Sequence, residues 1–260
     1  MTAMPVGHQR SKGSIRLAVG PKGIIRLREA HSAKVRMPFG VPEAILINTG
    51  GGLAGGDRFA FDITAEESAA LTITSQAAER VYRSLGPAAE VDVTLTARAG
   101  ATLMWLPQET ILFDGAALAR RLTAEISGSA RFLAVESVIL GREAMGETVR
   151  EARLADRWRI RQDGKLVFAD DIAFGGVPPA TAATLGASRA FATVVLVAPG
   201  AEGLLDPVRA AIGERGAASA WSGKLVARLT ARDGFDLRKS LIPALTVLAG
   251  GGNLPKTWSF

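Results

Sequence analysis

Three stretches of the chain repeat one pattern, in which apolar and polar residues alternate, a turn of small residues intervenes, and the alternation resumes. The stretches span residues 62–76, 94–109 and 121–136. A period of two is typical of β-strands, so each stretch is predicted to be a strand, a turn and a second strand. The spacing is 32 residues from Ile63 to Leu95 and 27 residues from Leu95 to Leu122. Repeats in this range predict stacked units that cover one another's apolar faces, although β proteins also produce such alternation by chance.

The predicted fold class is therefore mostly β: stacked strand-turn-strand, β-solenoid-like layers, with two helices toward the C-terminus. One hairpin is predicted around the turn at residues 20–23, and another around Asp163-Gly164, a dipeptide that favours tight hairpin turns. Helices are predicted over residues 204–214 and 236–248, the second one capped by Asp236. We expect residues 1–260 to form a single domain.

A glycine-rich segment, residues 50–56, connects two predicted strands and is followed at once by Asp57 and Arg58. Its glycines at positions 50, 52 and 55 satisfy the G-x-G-x-x-G fingerprint of dinucleotide-binding proteins. That fingerprint requires a helix directly after it, whereas residues 59–64 alternate as a strand does. A structural connection, in which side chains would clash with packed neighbours, is therefore favoured. A nucleotide-binding enzyme that uses this loop remains the alternative.

The side chains on which many enzymes and metal sites depend are scarce. The chain of 260 residues has no cysteine and two histidines, which excludes thiolate metal sites and cysteine nucleophiles and disfavours histidine-based triads and zinc centres. The formal net charge is +6, but the arginines form no dense run with aromatic platforms, so no nucleic acid partner is expected. No apolar stretch approaches the roughly 20 residues that span a bilayer, and we expect a cytoplasmic protein without membrane attachment.

Several motifs, in order along the chain, resemble the urease accessory proteins of the UreD (UreH) family. They read NTGGGLAGGD at 48–57, QAAERVYRS at 76–84, LPQETILFDGA at 106–116, GREAMGE at 141–147 and LPKTW at 254–258. The resemblance covers nearly the whole chain. One departure is Asn48, where the family pattern leads us to expect a histidine, so an imidazole contact at that point is in doubt.

The resemblance implies a urease maturation factor and not an enzyme. Such a scaffold binds a UreF-type helical accessory protein and, through that complex, a UreG-type nickel GTPase, and it docks the urease apoprotein so that nickel is inserted. The resemblance also implies a mostly β fold with an internal passage, no tightly bound cofactor, and Ni²⁺ in transit. Oxygen ligands hold a borderline metal less firmly than imidazole or thiolate, which suits release. A β interaction module without metal traffic would bind the same partners and remains an alternative.

Charged residues within the matched motifs are the candidate site residues. The acids expected to line or gate the passage are Asp57, Glu79, Glu109, Asp114, Glu136 and Glu147, with Arg58, Arg83 and Arg142 in supporting positions. At the spacing of the repeat, Glu109 and Glu136 are equivalent positions in adjacent coils and are expected about 5 Å apart. Carboxylates so close require a cation or an arginine beside them. The alternative for these two residues is a pair of acids exposed at a strand edge.

Overall fold

The protein is built of three layers, in which two β-sheets lie face to face and two helices cover the outer face of the larger sheet. This arrangement is seen in a computed structural model that describes residues 10–177, 180–181 and 183–259. One apolar core lies between the sheets and a second lies between the larger sheet and the helices. Within the described residues, no helix is both long and apolar enough to cross a membrane.

The smaller sheet has seven strands. In spatial order they are β14 (Lys165–Gly176), β13 (Ala152–Gln162), β11 (Ala116–Ile126), β8 (Ala89–Ala97), β5 (Arg58–Ala65), β1 (Lys12–Gly20) and β2 (Gly23–His31).

The larger sheet has ten strands. Its main path is β16 (Gly216–Trp221), β17 (Lys224–Ala231), β15 (Ala190–Val197), β12 (Arg131–Leu140), β9 (Thr102–Leu106), β6 (Ala70–Ser75), β4 (Glu43–Asn48) and β3 (Ala33–Arg36). Two short strands, β7 (Glu79–Val81) and β10 (Thr110–Leu112), pair with each other, and β10 also pairs with β12. The helices are α1 (Leu205–Ile212) and α2 (Gly234–Leu248), and short 3₁₀ turns span Glu143–Met145, Ala201–Leu204, Gly213–Arg215 and Lys256–Trp258.

Three stacked coils form the centre of the fold, as the repeat predicts. The coils are β5 with β6, β8 with β9, and β11 with β12; each contributes one strand to each sheet, and equivalent strands run parallel. Ile63 pairs with Leu95, which confirms the first spacing. Leu95 pairs with Ala124, 29 residues further on, so the predicted spacing of 27 is wrong. An error of two residues leaves every side chain on the same face of the sheet, which is why the apolar pattern alone did not reveal it.

The predicted hairpins are also confirmed. β1 and β2 form one, with a turn at residues 21–22. β13 and β14 form the other, in which Asp163 and Gly164 adopt φ of 49° and 77°, the left-handed geometry that matches the twist of the strands.

Both predicted helices are present, although the start and the cap of the second differ from the prediction. α1 lies within the predicted range, and α2 begins two residues earlier than predicted. The capping residue is Asp233 and not Asp236, because Asp233 has an extended backbone and its carboxylate accepts a hydrogen bond from the Asp236 backbone N–H at 2.7 Å. Asp236 lies in the first helical turn, where an acid also favours the helix dipole.

The glycine-rich segment is a close-packed connection between β4 and β5. Strand β5 begins at Arg58, in the place where a dinucleotide fingerprint requires a helix. Gly52 has a φ of 152°, and a Cβ there would lie 2.9 Å from the backbone oxygen of Arg80. At Gly55, a Cβ would overlap the Ser84 hydroxyl and lie 2.6 Å from the Pro87 carbonyl oxygen. The glycines are therefore needed because neighbouring backbone approaches this closely.

We expect Gly55→Ala to destabilise the protein by about 1–3 kcal/mol, because the added methyl group overlaps backbone that is held by other hydrogen bonds. The matched control is Gly86→Ala in the adjacent loop, where a Cβ meets no atom within 4 Å. Urea denaturation of both variants measures the difference. Equal free energies of unfolding for the two variants would contradict a packing role for Gly55.

Candidate functional site

A cavity of about 300 Å³ lies between the two sheets, beneath the glycine-rich segment. Most of the residues that line the cavity are apolar or uncharged, among them Leu53, Phe61 and Trp105. Its charged lining residues are Glu79, Arg80, Arg120 and Glu136. Two of the six predicted acids therefore line the same cavity.

Glu79 lies on β7 and is held by the amide of Asn48. The Asn48 side-chain N–H₂ group donates to both Glu79 carboxylate oxygens at 3.2 Å and to the Gly52 carbonyl oxygen at 3.1 Å. Burial raises the pKa of Glu79 to about 7, against the opposing effects of the Asn48 hydrogen bond and of Arg80. A neutral amide favours the ionised acid less than a cation would. Glu79 therefore exchanges its proton near neutral pH.

Glu136 belongs to a buried cluster that joins the two sheets. Arg120, on β11, donates through Nη1 to Glu136 on β12, and through Nε (3.1 Å) and Nη2 to the two carboxylate oxygens of Asp156 on β13. The other Glu136 oxygen accepts from the Trp105 indole N–H at 2.8 Å, and Thr110 Oγ1 accepts from Arg120 Nη1 at 3.1 Å. All three charged side chains are buried.

Within this cluster, burial and the attraction between opposite charges shift the pKa values in opposite directions. Burial raises the pKa of Glu136 to about 7 although Arg120 favours its ionised form. Burial alone would lower the pKa of Arg120, but the attraction of Asp156 and of Glu136 raises it, so the guanidinium stays charged. One cation thus faces two carboxylates, and the cluster is negative whenever both are ionised.

The cavity presents the carboxylate oxygens of Glu79 and Glu136 as separate groups, each with its own hydrogen-bond donors. Among the residues that the structure describes, no group of three or more His, Cys, Asp or Glu side chains is placed to hold a metal ion. Both carboxylates already accept hydrogen bonds, Glu79 from Asn48 and Glu136 from Trp105 and Arg120. A cation that approached these oxygens would compete with those donors.

Glu109 and Glu136 do not lie side by side, and the expectation of a direct pair is wrong. Glu136 faces the smaller sheet, whereas Glu109 accepts from Arg238 of α2, with Nε at 2.6 Å and Nη2 at 2.9 Å, on the opposite face of the larger sheet. The register explains this difference: Trp105 pairs with Ala134, but Thr110 pairs with Val138. The second coil therefore has one extra residue here, and one extra residue reverses the face on which side chains point.

The other predicted acids have structural hydrogen bonds outside the cavity lining. Asp57 is buried and accepts from the backbone N–H groups of Ser11 and Ala54, at 2.7 and 2.8 Å, which fixes the end of the glycine-rich segment. Asp114 accepts from the backbone N–H groups of Arg150 and Glu151, and these bonds lower its pKa.

Glu147 is held by Arg142, one of the predicted supporting residues. Arg142 donates to Glu147 through Nε and Nη2, at 3.0 and 3.1 Å, and lies over the Phe113 ring; its hydrogen bonds lower the pKa of Glu147. The backbone N–H of Asp114 also donates to Glu147 at 3.3 Å.

Of the remaining predicted arginines, Arg58 forms a surface pair with Glu90 at 3.4 Å, and the side chain of Arg83 lies against Gly115.

Sequence reasoning missed Arg120, Asp156 and Asn48 as site residues. A signal for the first two was available: the alternation along β11 places Arg120 between Leu118 and Leu122 on the buried face, and an arginine there needs an acid. Asp156 stands directly beside it in the parallel register. No such signal exists for Asn48, because its bond to Glu79 joins two separate segments.

The fold and the cavity together define a layered β protein that encloses a small, carboxylate-bearing chamber. A family model described as UreD urease accessory protein matches residues 11–259. The urease accessory protein UreD of Rhizobium etli is 48% identical over 262 residues, covering 96% of each chain. That of Agrobacterium fabrum is 45% identical over 98% of this chain and 93% of its own, and that of Mesorhizobium japonicum is 46% identical over 96% and 95%. The chain belongs to the UreD family of urease accessory proteins, which gives it a role in urease maturation.

Replacing Arg120 by Leu should destabilise the protein by about 3–5 kcal/mol, because two buried carboxylates lose their counter-ion. The matched control is the next residue: Arg121→Leu removes a solvent-exposed pair with Asp92 and should cost at most about 1 kcal/mol. Arg120→Lys, which keeps the charge but not the two-pronged geometry, should fall between them. Urea denaturation at neutral pH measures all three, and equal losses for the two leucine variants would contradict the buried cluster.

Glu79→Gln should make the protein more stable at pH 8 and leave it nearly unchanged at pH 4.5. The folded protein holds the Glu79 proton up to about pH 7, whereas the ordinary pKa of a glutamate is 4.5, so the wild-type free energy of unfolding falls as pH rises between these values and then levels off. Glutamine does not ionise, and the variant should gain on the order of 1–3 kcal/mol at the higher pH. Urea denaturation across this range tests it, with Glu67→Gln in an exposed turn as the control for removing a carboxylate. If the free energies of unfolding of the wild type and of Glu79→Gln changed with pH in parallel, the raised pKa of Glu79 would be contradicted.

Proposed function

We propose that this protein is a non-enzymatic, cytoplasmic scaffold that delivers nickel to the urease apoprotein. It acts in a complex with a UreF-type helical accessory protein, which recruits a UreG-type nickel GTPase. In this proposal Ni²⁺ is cargo and not a resident cofactor, and the cavity between the sheets is one section of its route.

The observation that carries this proposal is the presence of two carboxylates with raised pKa values, Glu79 and Glu136, in the lining of one cavity. An apolar wall gives a hydrated cation no ligand, whereas a carboxylate that can lose its proton offers a negative oxygen at the moment the cation arrives. The proton that leaves keeps the net charge of the interior low. Each transfer step then exchanges a proton for the cation, without a deep binding site.

Weak binding is what a conduit needs. Thiolates and imidazoles hold nickel more firmly than isolated carboxylates do, and the chain has no cysteine. The hydrogen bonds from Asn48 and Trp105 compete with a metal for the same oxygens. They therefore favour release of the ion toward the next ligand.

The rival function is a β interaction module that assembles the same partners but carries no metal. It requires no ionisable group in the cavity. The two functions predict different results when a cavity acid is changed to its amide. If the protein is a conduit, nickel delivery is lost although the complex still forms. If it is an interaction module, the change does not affect nickel delivery.

Glu79→Gln and Glu136→Gln should lower urease activation by about tenfold or more while the maturation complex still assembles. The measurement combines size-exclusion chromatography of the complex with the nickel content and activity of urease after reconstitution with Ni²⁺ and GTP. The matched control is Glu90→Gln on the outer face of the smaller sheet, which should activate urease as the wild type does. Wild-type nickel delivery by both cavity variants would overturn the conduit and favour the interaction module.

A further inference from the structure

Strand β2 differs from the other strands at the sheet edges. It pairs with β1 on one side, and no strand of the described part of the chain pairs with its other side, so a row of backbone N–H and C=O groups along its nine residues has no strand partner there. Three large aliphatic side chains on it are exposed: Ile24 by 51%, Ile25 by 64% and Leu27 by 42%. A long, apolar open edge is a template for another strand.

The other three edges of the described sheets have features that discourage pairing. β3 has four residues, and β16 is built mainly of small residues, with Trp221 covered by Lys224 at 4.5 Å. β14 carries Asp171, which pairs with Arg159 of the neighbouring β13, and Asp170, which pairs with Arg228 of β17 in the larger sheet. Such charges and short lengths are the usual protection of edge strands; β2 is nine residues long, and although it carries Arg26, Arg28 and Glu29, its large aliphatic side chains remain exposed beside them.

The charge of the β2 edge indicates what it binds. Arg26 and Arg28 are exposed on one face of the strand, Lys22 is exposed in the preceding turn, and none of the three forms an ion pair within the described residues. The one acid of the strand, Glu29, is already engaged by the Val35 backbone N–H and by Lys34. The edge is therefore basic on one face, and Leu27, on the other face, pairs with Leu17 of the core.

A second copy of this chain fits the edge poorly. In a two-fold antiparallel pairing centred on residue 26, 27 or 28, Arg26 or Arg28 stands opposite an arginine of the other copy. Like charges directly opposite each other destabilise a strand pair. The complementary occupant is a strand with acids on one face and apolar residues on the other.

We propose that β2 is a docking edge for an extended acidic segment of a partner protein, which adds an eighth strand to the seven-stranded sheet. Backbone hydrogen bonds to β2 supply affinity, and alternate side chains supply specificity. Carboxylates of the segment meet Arg26 and Arg28, and its apolar side chains cover Ile25 and Leu27. This inference does not depend on nickel transit, because the residues it uses lie outside the cavity.

The test uses the full chain, in which Pro21→Cys, in the exposed turn before β2, introduces a unique thiol for an environment-sensitive dye, since the chain has no other cysteine. Two synthetic peptides as long as β2 are titrated, one alternating Val with Glu and one alternating Val with Lys. The Glu peptide should bind, with an affinity that falls as salt is added, and the Lys peptide should not. Arg26→Glu with Arg28→Glu should weaken the Glu peptide by about tenfold or more and reverse the preference.

The matched control is Lys165→Glu on the opposite edge strand, which should change neither affinity. Amide hydrogen exchange locates the peptide independently of the dye: β2 amides should become protected and β14 amides should not. Absence of saturable binding, equal binding of the two peptides, or protection at β14 would overturn the proposal. A dimer that forms without peptide in sedimentation and has protected β2 amides would also overturn the proposal, because a second copy of the chain would then occupy the edge.

Discussion

One buried guanidinium connects the parts of this molecule. Arg120 projects from the smaller sheet, binds both oxygens of Asp156 on the neighbouring strand, and reaches Glu136 on the facing sheet. Removing three charges from water is costly, and the cost is offset only where nearly every hydrogen-bonding position is filled. Trp105 and Thr110 supply the remaining partners. The two sheets therefore have one separation and one register in which the cluster is satisfied, and the acidic cavity lies beside it.

Stacking in register is what brings such a cluster together. In a parallel stack each residue stands directly beside its equivalent in the next coil, so Arg120 and Asp156 are neighbours although 36 residues separate them along the chain. The same geometry makes the site sensitive to a single extra residue. Where the second coil gains one residue between Trp105 and Thr110, Glu109 turns to α2 and Arg238 instead of the cavity.

The sequence predicted the layers but only part of the site, for a physical reason. Alternation records which face a residue occupies, so the strands, hairpins and repeats could be predicted from it even though the second spacing was wrong by two residues. The alternation does not indicate which residue from a distant part of the chain lies next to a given side chain. Glu79 and Glu136 were selected because they stand in motifs that resemble those of the family, but the same criterion also selected Asp57, whose carboxylate only closes a turn. The bond between Glu109 and Arg238 joins residues 129 positions apart, and no local pattern indicates it.

Charge is divided in a consistent way between the interior and the edge. The buried cluster holds two carboxylates against one cation, Arg120, whereas the β2 edge exposes Arg26 and Arg28, which form no ion pair among the described residues. Salt screens exposed charges over about 8–10 Å at 0.1–0.15 M but affects buried pairs much less. Ionic strength therefore separates the two features: added salt weakens attraction to the basic edge and leaves the Arg120 cluster and the protonation of Glu136 nearly unchanged. A loss of function in salt would then point to docking at β2, and a loss with falling pH would point to protonation of the cavity carboxylates.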